Sequence, residues 1–242
     1  MTTTPAAAVD TAETVIELAG VDKSFPSSAG RLHVLSGVNL TAARGEIVAL
    51  AGRSGSGKTT LLTIVGGWEP PDAGSVVLLG GDGGNGTNQP TRPDRRPWRE
   101  LAILPQSLGL LDELTVGENV TLPLRLDDIP GASDPDDMMA RLGIDHLADR
   151  FPTEVSLGER QRAALGRAAI VRPRVLLADE PIAHQNRGWA EGMMLLLGEL
   201  AAGGTTCLLA THNEIAFDEA HRVLELHDGW LRPVGGPDLT RR

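Results

Sequence analysis

One short segment constrains the fold of this chain more than any other, because it joins three patterns in a fixed order. Residues 46–51 (EIVALA) have the composition of a buried strand, and residues 58–65 (KTTLLTIV) have helical character. The connection between them, residues 52–59 (GRSGSGKT), is rich in glycine and ends in Lys-Thr. A strand, a glycine-rich loop and a helix in this order typically cradle phosphate groups on backbone N–H groups at the helix N-terminus. The segment therefore predicts an α/β fold with a nucleotide site.

A plain glycine-rich turn is the alternative interpretation of this segment. The chain has 22 Lys and Arg residues, and only Lys23 and Lys58 are lysines. A guanidinium fork does not replace a compact ammonium inside a closed loop, so a lysine at this position favours phosphate binding. We expect Lys58 to reach the β and γ phosphates and the Thr59 hydroxyl to hold Mg²⁺. The residues expected to bind the nucleotide in this segment are Gly52, Ser54, Gly55, Ser56, Gly57, Lys58, Thr59 and Thr60.

A second chemical signal follows the apolar residues 175–178, which end abruptly in Asp179 and Glu180. Ligands of α/β sheets bind at the carboxyl ends of strands, so both carboxylates are predicted to lie beside the phosphate loop. We expect Asp179 to support Mg²⁺ through its water shell and Glu180 to polarise the attacking water as a general base. Acidic residues that merely begin a helix are the alternative, and the phosphate loop makes that alternative weaker.

The composition limits size, partners and location. A chain of 242 residues accommodates one large domain, or one with a small insert, since a typical domain has about 150 residues. Its 32 acidic and 22 basic residues give a net charge of −10, which disfavours nucleic acid because that partner needs clustered cations. The single cysteine, Cys207, lies in an apolar run and is interpreted as a buried small residue in a reducing cytoplasm. Without a run of about 18 apolar residues or a signal core, we expect a partner to supply any membrane span.

Strand and helix patterns alternate along the chain, which predicts a mostly parallel sheet. Three segments do not follow this alternation. They are a tail at residues 1–12, an exposed insertion at 80–97, and a helical part at 115–150 that is broken by Pro123, Pro130 and Pro135. The predicted strands cover residues 15–18, 46–51, 75–79, 101–104, 175–178 and 205–210 and lie around Val223 and Trp230. The predicted helices cover residues 58–65, 156–171 and 188–202.

Further motifs occur in the order of a known family. Gln106 comes shortly after the predicted strand at residues 101–104, and His212 comes shortly after the one at 205–210. Residues 156–162 have the sequence SLGERQR. Phe25 is one of few aromatic residues in a chain without tyrosine. With these motifs the chain resembles the ATP-binding cassette family, the ATPase subunits of ABC transporters, from Val15 to about Pro233. Taken singly, each has a structural alternative: a surface amide, a core aromatic, a strand-end histidine, or a capping box formed by Ser156 and Glu159.

The resemblance implies roles for these residues. Gln106 corresponds to the Q-loop glutamine, which senses Mg²⁺ and the γ-phosphate, and His212 to the switch histidine that contacts the γ-phosphate. Phe25 corresponds to an aromatic that stacks on adenine. Ser156, Gly158 and Glu159 belong to the signature motif, which faces the ATP of an opposite subunit. The catalytic residues implied are thus Glu180, His212 and Gln106, and the metal-binding residues are Thr59, Gln106 and Asp179.

The family implies a P-loop NTPase core of RecA-like type with an N-terminal antiparallel β part and a small helical subdomain. On this basis the ATPase domain covers residues 13–242. Within it, residues 13–105 and 156–233 form the core, 106–155 form the helical subdomain, and 234–242 form a flexible tail. ATP and Mg²⁺ are the implied ligands, and a second cassette and a transmembrane permease are the implied partners. The implied location is the cytoplasmic face of the membrane, bound peripherally through the permease.

Residues 66–68 (GGW), 115–120 (TVGENV) and 122–124 (LPL) resemble the ATPases of macrolide-exporter and lipoprotein-release systems. In such proteins a permease helix inserts beside the Q-loop, so Leu108, Leu110 and Leu111 are candidates for that contact, with ordinary core packing as the alternative. The main functional hypothesis is a Mg·ATP hydrolase that closes as a head-to-tail dimer and drives a permease. A nucleotide-gated regulatory module that moves no solute is the second hypothesis, and a nucleic-acid ATPase is disfavoured by the charge.

Two positions depart from the family pattern. Leu157 replaces the first of two glycines after the signature serine, and Asn186 replaces an aspartate in the segment after Glu180, the D-loop. Both groups are offered to the ATP of the partner, whereas the residues that serve the chain's own ATP are all present. If the chain pairs with a different cassette, we therefore expect two unequal ATP sites. If it pairs with a second copy of itself, we expect two sites that are equally impaired.

Overall fold

The computed structural model of the chain describes residues 13–28, 30–79, 96–126 and 129–234. The strands are β1 (Thr14–Ser27), β2 (Gly30–Ala43), β3 (Ile47–Ala51), β4 (Ala73–Leu78), β5 (Leu101–Leu104), β6 (Val175–Asp179), β7 (Thr206–Ala210), β8 (Arg222–His227) and β9 (Trp230–Pro233). The helices are α1 (Lys58–Val65), α2 (Val116–Leu126), α3 (Pro135–Arg141), α4 (Leu157–Ala169), α5 (Arg187–Ala202) and α6 (Glu214–Asp218). Short 3₁₀ helices cover Asp145–Leu147 and Pro152–Glu154.

The central sheet has the order β5-β6-β7-β3-β8-β9 in the described part of the chain, and all its pairs are parallel except β8 with β9. Its inner strands are apolar on both faces. Val175 and Leu177 of β6 pack with α1 and the N-terminal strands, whereas Leu176 and Ala178 pack with α4 and α5. Side chains alternate between the faces of a strand, so a strand covered on both sides reads as a continuous apolar run. The fold class expected from the sequence, a P-loop NTPase α/β fold, is confirmed.

An antiparallel sheet in the order β2-β1-β4 covers one face of this core. The predicted strands near residues 15–18 and 75–79 are confirmed as parts of β1 and β4. Strand β2 has no counterpart among the segments identified from the sequence. Its register with β1 shifts at several points, and such irregularities weaken the two-residue alternation by which a strand is recognised.

The helices α2 and α3 and the 3₁₀ helix Asp145–Leu147 lie in the predicted helical part, residues 115–150. The expectation that Pro123 breaks a helix is wrong, because α2 continues through it to Leu126. Pro123 is buried, and α2 packs along α4, so tertiary packing outweighs the missing backbone hydrogen bond. Pro135 instead begins α3, where its fixed φ is suitable, and the Asp134 side chain caps that helix.

The other predicted elements of the core, including helices α1, α4 and α5, are confirmed to within a few residues. Cys207 is fully buried, and burial raises the pKa of its thiol to about 12. The predicted N-terminal tail, most of the predicted insertion and all but Val234 of the predicted C-terminal tail lie outside the described residues. The division into core and helical subdomain stays a prediction. No helix within the described ranges is both long and apolar enough to cross a membrane.

Candidate active site

The sheet order brings four functional segments to one edge. Strands β5, β6, β7 and β3 are neighbours and run parallel, with Leu104 beside Ala178, Asp179 beside Ala210 and Ala210 beside Leu50. The segments that follow these strands carry Gln106, Glu180, His212 and the phosphate loop, respectively. They line one cleft of about 800 Å³. The sequence prediction that Asp179 and Glu180 lie beside the phosphate loop, at the carboxyl ends of parallel strands, is borne out in the geometry.

Two glycines give the phosphate loop its shape. Gly52 has φ of +149°, and a Cβ there would lie 2.6 Å from the Leu226 carbonyl oxygen. Gly57, the residue that precedes α1, has φ of +103°, and a Cβ there would lie 2.7 Å from a methyl group of Val34. Any other residue would be strained and crowded at both positions. The loop can therefore curl tightly around the N-terminus of α1, where backbone N–H groups favour an anion.

Lys58 closes this loop. It is 8% exposed, and its ammonium donates hydrogen bonds to the carbonyl oxygens of Gly52 at 2.8 Å and Arg53 at 3.2 Å. The Ser56 hydroxyl is buried and has no hydrogen-bond partner within the described residues. A buried hydroxyl without a partner costs free energy, and a phosphate oxygen would supply the missing contact. The loop thus presents a cation and a helix N-terminus to the same cleft.

Thr59 and Asp179 bring two oxygens together. The Thr59 hydroxyl donates to a carboxylate oxygen of Asp179 at 2.5 Å, across the gap between α1 and β6. Burial raises the pKa of Asp179, and the Thr59 hydrogen bond opposes part of that rise. A carboxylate beside a hydroxyl at a phosphate loop is an oxygen set that Mg²⁺ prefers. The residues present therefore fit a magnesium ion.

Glu180 lies in a network that reaches the end of β7. One of its carboxylate oxygens accepts a hydrogen bond from the Thr211 hydroxyl at 3.0 Å, and the other lies 2.7 Å from His212 Nδ1. The Glu180 side chain is 15% exposed, whereas that of His212 is 75% exposed. The carboxylate is consequently oriented by two neighbours, and the imidazole reaches into the open part of the cleft. This is the geometry expected of a general base with an accessible partner.

Gln106 is exposed at the mouth of the cleft, and it also lines an adjoining cavity of about 460 Å³ with Thr59 and Asp179. The chain after it turns sharply, since Leu108 has φ of +66°. Arg167 of α4 holds this turn by donating to the carbonyl oxygens of Leu108 at 2.8 Å and Gly109 at 2.6 Å. Burial lowers the pKa of Arg167. Of the three leucines proposed for permease contact, Leu111 is exposed and Leu108 and Leu110 pack on the core.

Phe25 is half-buried and lines the same cleft as the phosphate loop. The Lys23 ammonium lies 5.2 Å from the centre of its ring. Lys23 is itself fixed by the Pro70 carbonyl oxygen at 2.7 Å and by the Glu69 and Asp72 carboxylates. A cation near an aromatic ring is attracted to it, so Lys23 helps to hold the ring in place.

The segment that resembles the signature motif begins helix α4. The predicted capping box is confirmed: the Ser156 hydroxyl accepts from the Glu159 N–H at 3.3 Å, and the Ser156 N–H donates to the Glu159 carboxylate at 2.7 Å. Hydrogen bonds from the Ser156 hydroxyl and N–H hold the pKa of Glu159 below its usual value. Leu157 is 41% exposed at the first turn of this helix and lines the same cleft. Gly158 packs closely on the segment after Glu180.

Sequence reasoning missed the side chains that tie α4 to the segment after Glu180. Gln161 donates to the Glu180 carbonyl oxygen, and Gln185 bridges the Gly158 carbonyl oxygen and Arg162. No pattern in the sequence indicates these contacts, because the partners are 19 or more residues apart. Asn186, which departs from the family pattern, caps α5 by accepting from the Trp189 N–H at 3.0 Å. Asn and Asp are equally good helix caps, so this substitution preserves the cap.

A phosphate loop, a carboxylate beside its threonine and an oriented glutamate at one sheet edge define a nucleotide-hydrolysing protein of the P-loop class. Comparison with protein families matches residues 35–183 to ABC_tran, the ABC transporter family. The chain belongs to this family, and it is an ATP-binding and ATP-hydrolysing cassette.

Three known proteins illustrate the similarity. The lipoprotein-releasing system ATP-binding protein LolD 1 of Rhodopirellula baltica is 37% identical over 231 residues, covering 91% of this chain and 97% of that protein. The macrolide export ATP-binding/permease protein MacB 1 of Aeromonas hydrophila is 34% identical over 220 residues, covering 90% of this chain but only 34% of that protein. The dimeric structure of the cassette MJ0796 in a post-hydrolysis state with ADP and Pi superposes with a TM-score of 0.79 at 28% identity, covering 92% of this chain and 100% of that one.

Proposed function

We propose that this chain hydrolyses Mg·ATP in the cleft described above and uses the resulting opening and closing to drive a separate membrane permease. The observation that carries the proposal is the Thr59–Asp179 hydrogen bond beside the oriented Glu180, because it joins the metal-binding oxygens to a base. Phosphoryl transfer needs positioning and charge stabilisation above all, and the cleft supplies both.

Lys58 and the loop that contains it hold the triphosphate. To bind ATP, the Lys58 ammonium exchanges its hydrogen bonds to the Gly52 and Arg53 carbonyl oxygens for phosphate oxygens. The unpaired Ser56 hydroxyl gains a partner at the same time. Phe25, which lines the same cleft, stacks on the adenine, and such stacking contributes about 1–3 kcal/mol.

Thr59 and Asp179 hold Mg²⁺, with Gln106 completing the site from the edge of the cleft. When bound, the ion neutralises charge that develops on the phosphates. Glu180 accepts a proton from the attacking water, while Thr211 fixes the direction of its carboxylate. The exposed His212 contacts the γ-phosphate from the end of β7.

Two cassettes are proposed to share the ATP. The signature segment at Ser156, Gly158 and Glu159 faces the nucleotide of a second cassette, and a dimeric relative bound to ADP and Pi supports this arrangement. One relative is named a lipoprotein-releasing system ATP-binding protein and another a macrolide export ATP-binding/permease protein. These names support a permease partner for this chain, and through it a peripheral position on the cytoplasmic face of a membrane. Nucleic acid is not a proposed partner, because the chain carries a net charge of −10.

The test is Glu180→Gln, which keeps the shape of the side chain but removes its basicity. We expect kcat to fall about 10²–10⁴-fold while ATP still binds, and the ATP-bound dimer to persist during gel filtration. The parent chain is expected to run as a monomer at low ATP. Glu219→Gln, an exposed glutamate outside the cleft, is the matched control and should retain parent turnover. Near-normal turnover of Glu180→Gln would contradict the proposed base.

A further inference from the structure

Glu180 has a backbone conformation that residues other than glycine rarely adopt. Its φ is +53°, in the left-handed region, where a residue with a Cβ is strained. Such strain persists only where surrounding contacts hold it, and it directs the side chain along a course that relaxed backbone would not give. The contacts that hold this peptide therefore help to decide where the Glu180 carboxylate lies.

Three hydrogen bonds hold the Glu180 peptide. Its N–H donates to the Ala210 carbonyl oxygen at 2.7 Å, and its carbonyl oxygen accepts from the Ala183 N–H at 3.2 Å and from Gln161 Nε2 at 2.5 Å. The first two are made by main chain. The Gln161 contact comes from a side chain on α4, a different element from β6, the strand that Glu180 follows.

Packing alone does not account for an amide at position 161. Gln161 is 2% exposed, and its Oε1 has no hydrogen-bond partner within the described residues. A buried polar atom without a partner destabilises the fold, and an apolar side chain of similar length would avoid that cost. The contact that such an apolar side chain would not make is the hydrogen bond from Nε2 to the Glu180 carbonyl oxygen.

The same helix fixes the far end of the segment. The Gln185 amide donates to the Gly158 carbonyl oxygen at 2.9 Å and accepts from Arg162 at 3.1 Å, and the Arg162 guanidinium lies 4.3 Å from the Trp189 ring centre. The segment from Glu180 to Gln185 is thus held at both ends by α4. The helix that begins with the Ser156 capping box and the segment that begins with the base therefore have a fixed relation.

We propose that Gln161 is a positioning residue for hydrolysis, which holds the Glu180 peptide so that the carboxylate meets Thr211 and His212. It acts through Glu180 and not on ATP. This inference rests on the proposed role of Glu180 as the base. It assigns to α4 a second task, the alignment of the base in its own chain, besides presentation of the signature segment.

The test is a double-mutant cycle on the full chain. Gln161→Met fills the space without donating, and Gln161→Asn keeps an amide on a side chain too short to reach. We expect either variant to lower kcat about 10²-fold, as for a displaced catalytic group, with the KM for ATP unchanged within about threefold. In the Glu180→Ala background neither should lower the residual single-turnover rate further, because the group that it positions is gone.

Ile170→Val, a truncation at the buried C-terminal end of α4, is the control for lost stability. It should lower the unfolding temperature as the Gln161 variants do and still retain the parent kcat. Equal losses from Gln161→Met in both backgrounds, or an unchanged kcat in the parent background, would overturn the inference. A Glu180→Ala chain that turns over like the parent would overturn instead the role proposed for Glu180.

Discussion

Lys58 is held in the cleft by its own loop, because two carbonyl oxygens of that loop accept its hydrogen bonds. An ammonium so placed loses little side-chain freedom when phosphate replaces these acceptors, which favours tight binding. Leu157, which lines the same cleft, differs from Lys58 in its chemistry. Leu157, an exposed apolar side chain at a helix N-terminus, offers nothing to an anion.

Lys58→Ala should abolish tight ATP binding, since charge-assisted contacts to phosphate are among the strongest hydrogen bonds. Isothermal calorimetry gives the affinity. Arg44→Ala removes one positive charge from an exposed side chain outside the cleft and should bind ATP like the parent. Unchanged affinity in Lys58→Ala would contradict the proposed phosphate contact.

Leu157→Gly should raise ATPase activity and dimer formation severalfold in the purified chain, if the isobutyl group crowds the nucleotide of a partner. Crowding of this kind costs about 1–3 kcal/mol. Leu195→Gly, at a similarly exposed leucine of α5, is the control and should bring no gain. A parent chain that already turns over fast as a homodimer, and a glycine variant that equals it, would remove the predicted inequality of the two sites.

At the scale of elements, buried polar side chains decide how the helical part joins the core. Asn119 of α2 is fully buried, and its amide bonds the Leu111 N–H and the carbonyl oxygens of Leu111, Leu114 and Thr115. Arg167 of α4 fixes the turn after Gln106 in the same way. These contacts hold the segment from Gln106 to α2 against two helices, which keeps Gln106 at the edge of the cleft.

Asn119→Leu should lower the free energy of unfolding by about 2–4 kcal/mol, because several buried backbone groups lose their partner together. Denaturation by urea measures this change. Thr121→Val, which removes a hydroxyl bonded only to carbonyl oxygens of its own helix, should cost less than about 1 kcal/mol. Equal effects from both variants would show that the Asn119 contacts add nothing beyond helix packing.

At the scale of the whole molecule, ligand binding and folding are linked. ATP at 100 times its Kd stabilises the folded chain by about 2.7 kcal/mol, which for a protein of this size raises Tm by roughly 5–11 °C. If Thr59 and Asp179 hold Mg²⁺, removal of the ion by EDTA should reduce this shift. Thermal unfolding of Glu180→Gln, which does not consume the ATP, measures both effects. Lys58→Ala is the control, and ATP should not raise its Tm. A rise in the Tm of Glu180→Gln that EDTA does not reduce would contradict the metal site.

Much of the site follows from local patterns in the sequence. The phosphate loop is recognisable because glycines with positive φ, a lysine and a helix start must be adjacent in the chain to form it. Asp179 and Glu180 are recognisable because an apolar strand ends at them. The same holds for the inner strands β3, β6 and β7, whose burial on both faces requires unbroken apolar runs.

The parts that the sequence left undetermined depend on distant contacts. Strand β2 exists because β1 offers it backbone partners, although its own alternation is irregular. Helix α2 continues through Pro123 because α4 covers it.

The sequence by itself determined which chemical groups this protein brings to ATP. Only the tertiary structure decided how those groups are positioned and oriented. The Glu180 carbonyl oxygen meets Gln161 from 19 residues away, and the Gly109 carbonyl oxygen meets Arg167 from 58 residues away. Hydrophobic periodicity reports which face of an element is buried but not which partner a buried polar group finds, and hydrogen bonds between distant elements settle that only when the sheet and helices have packed.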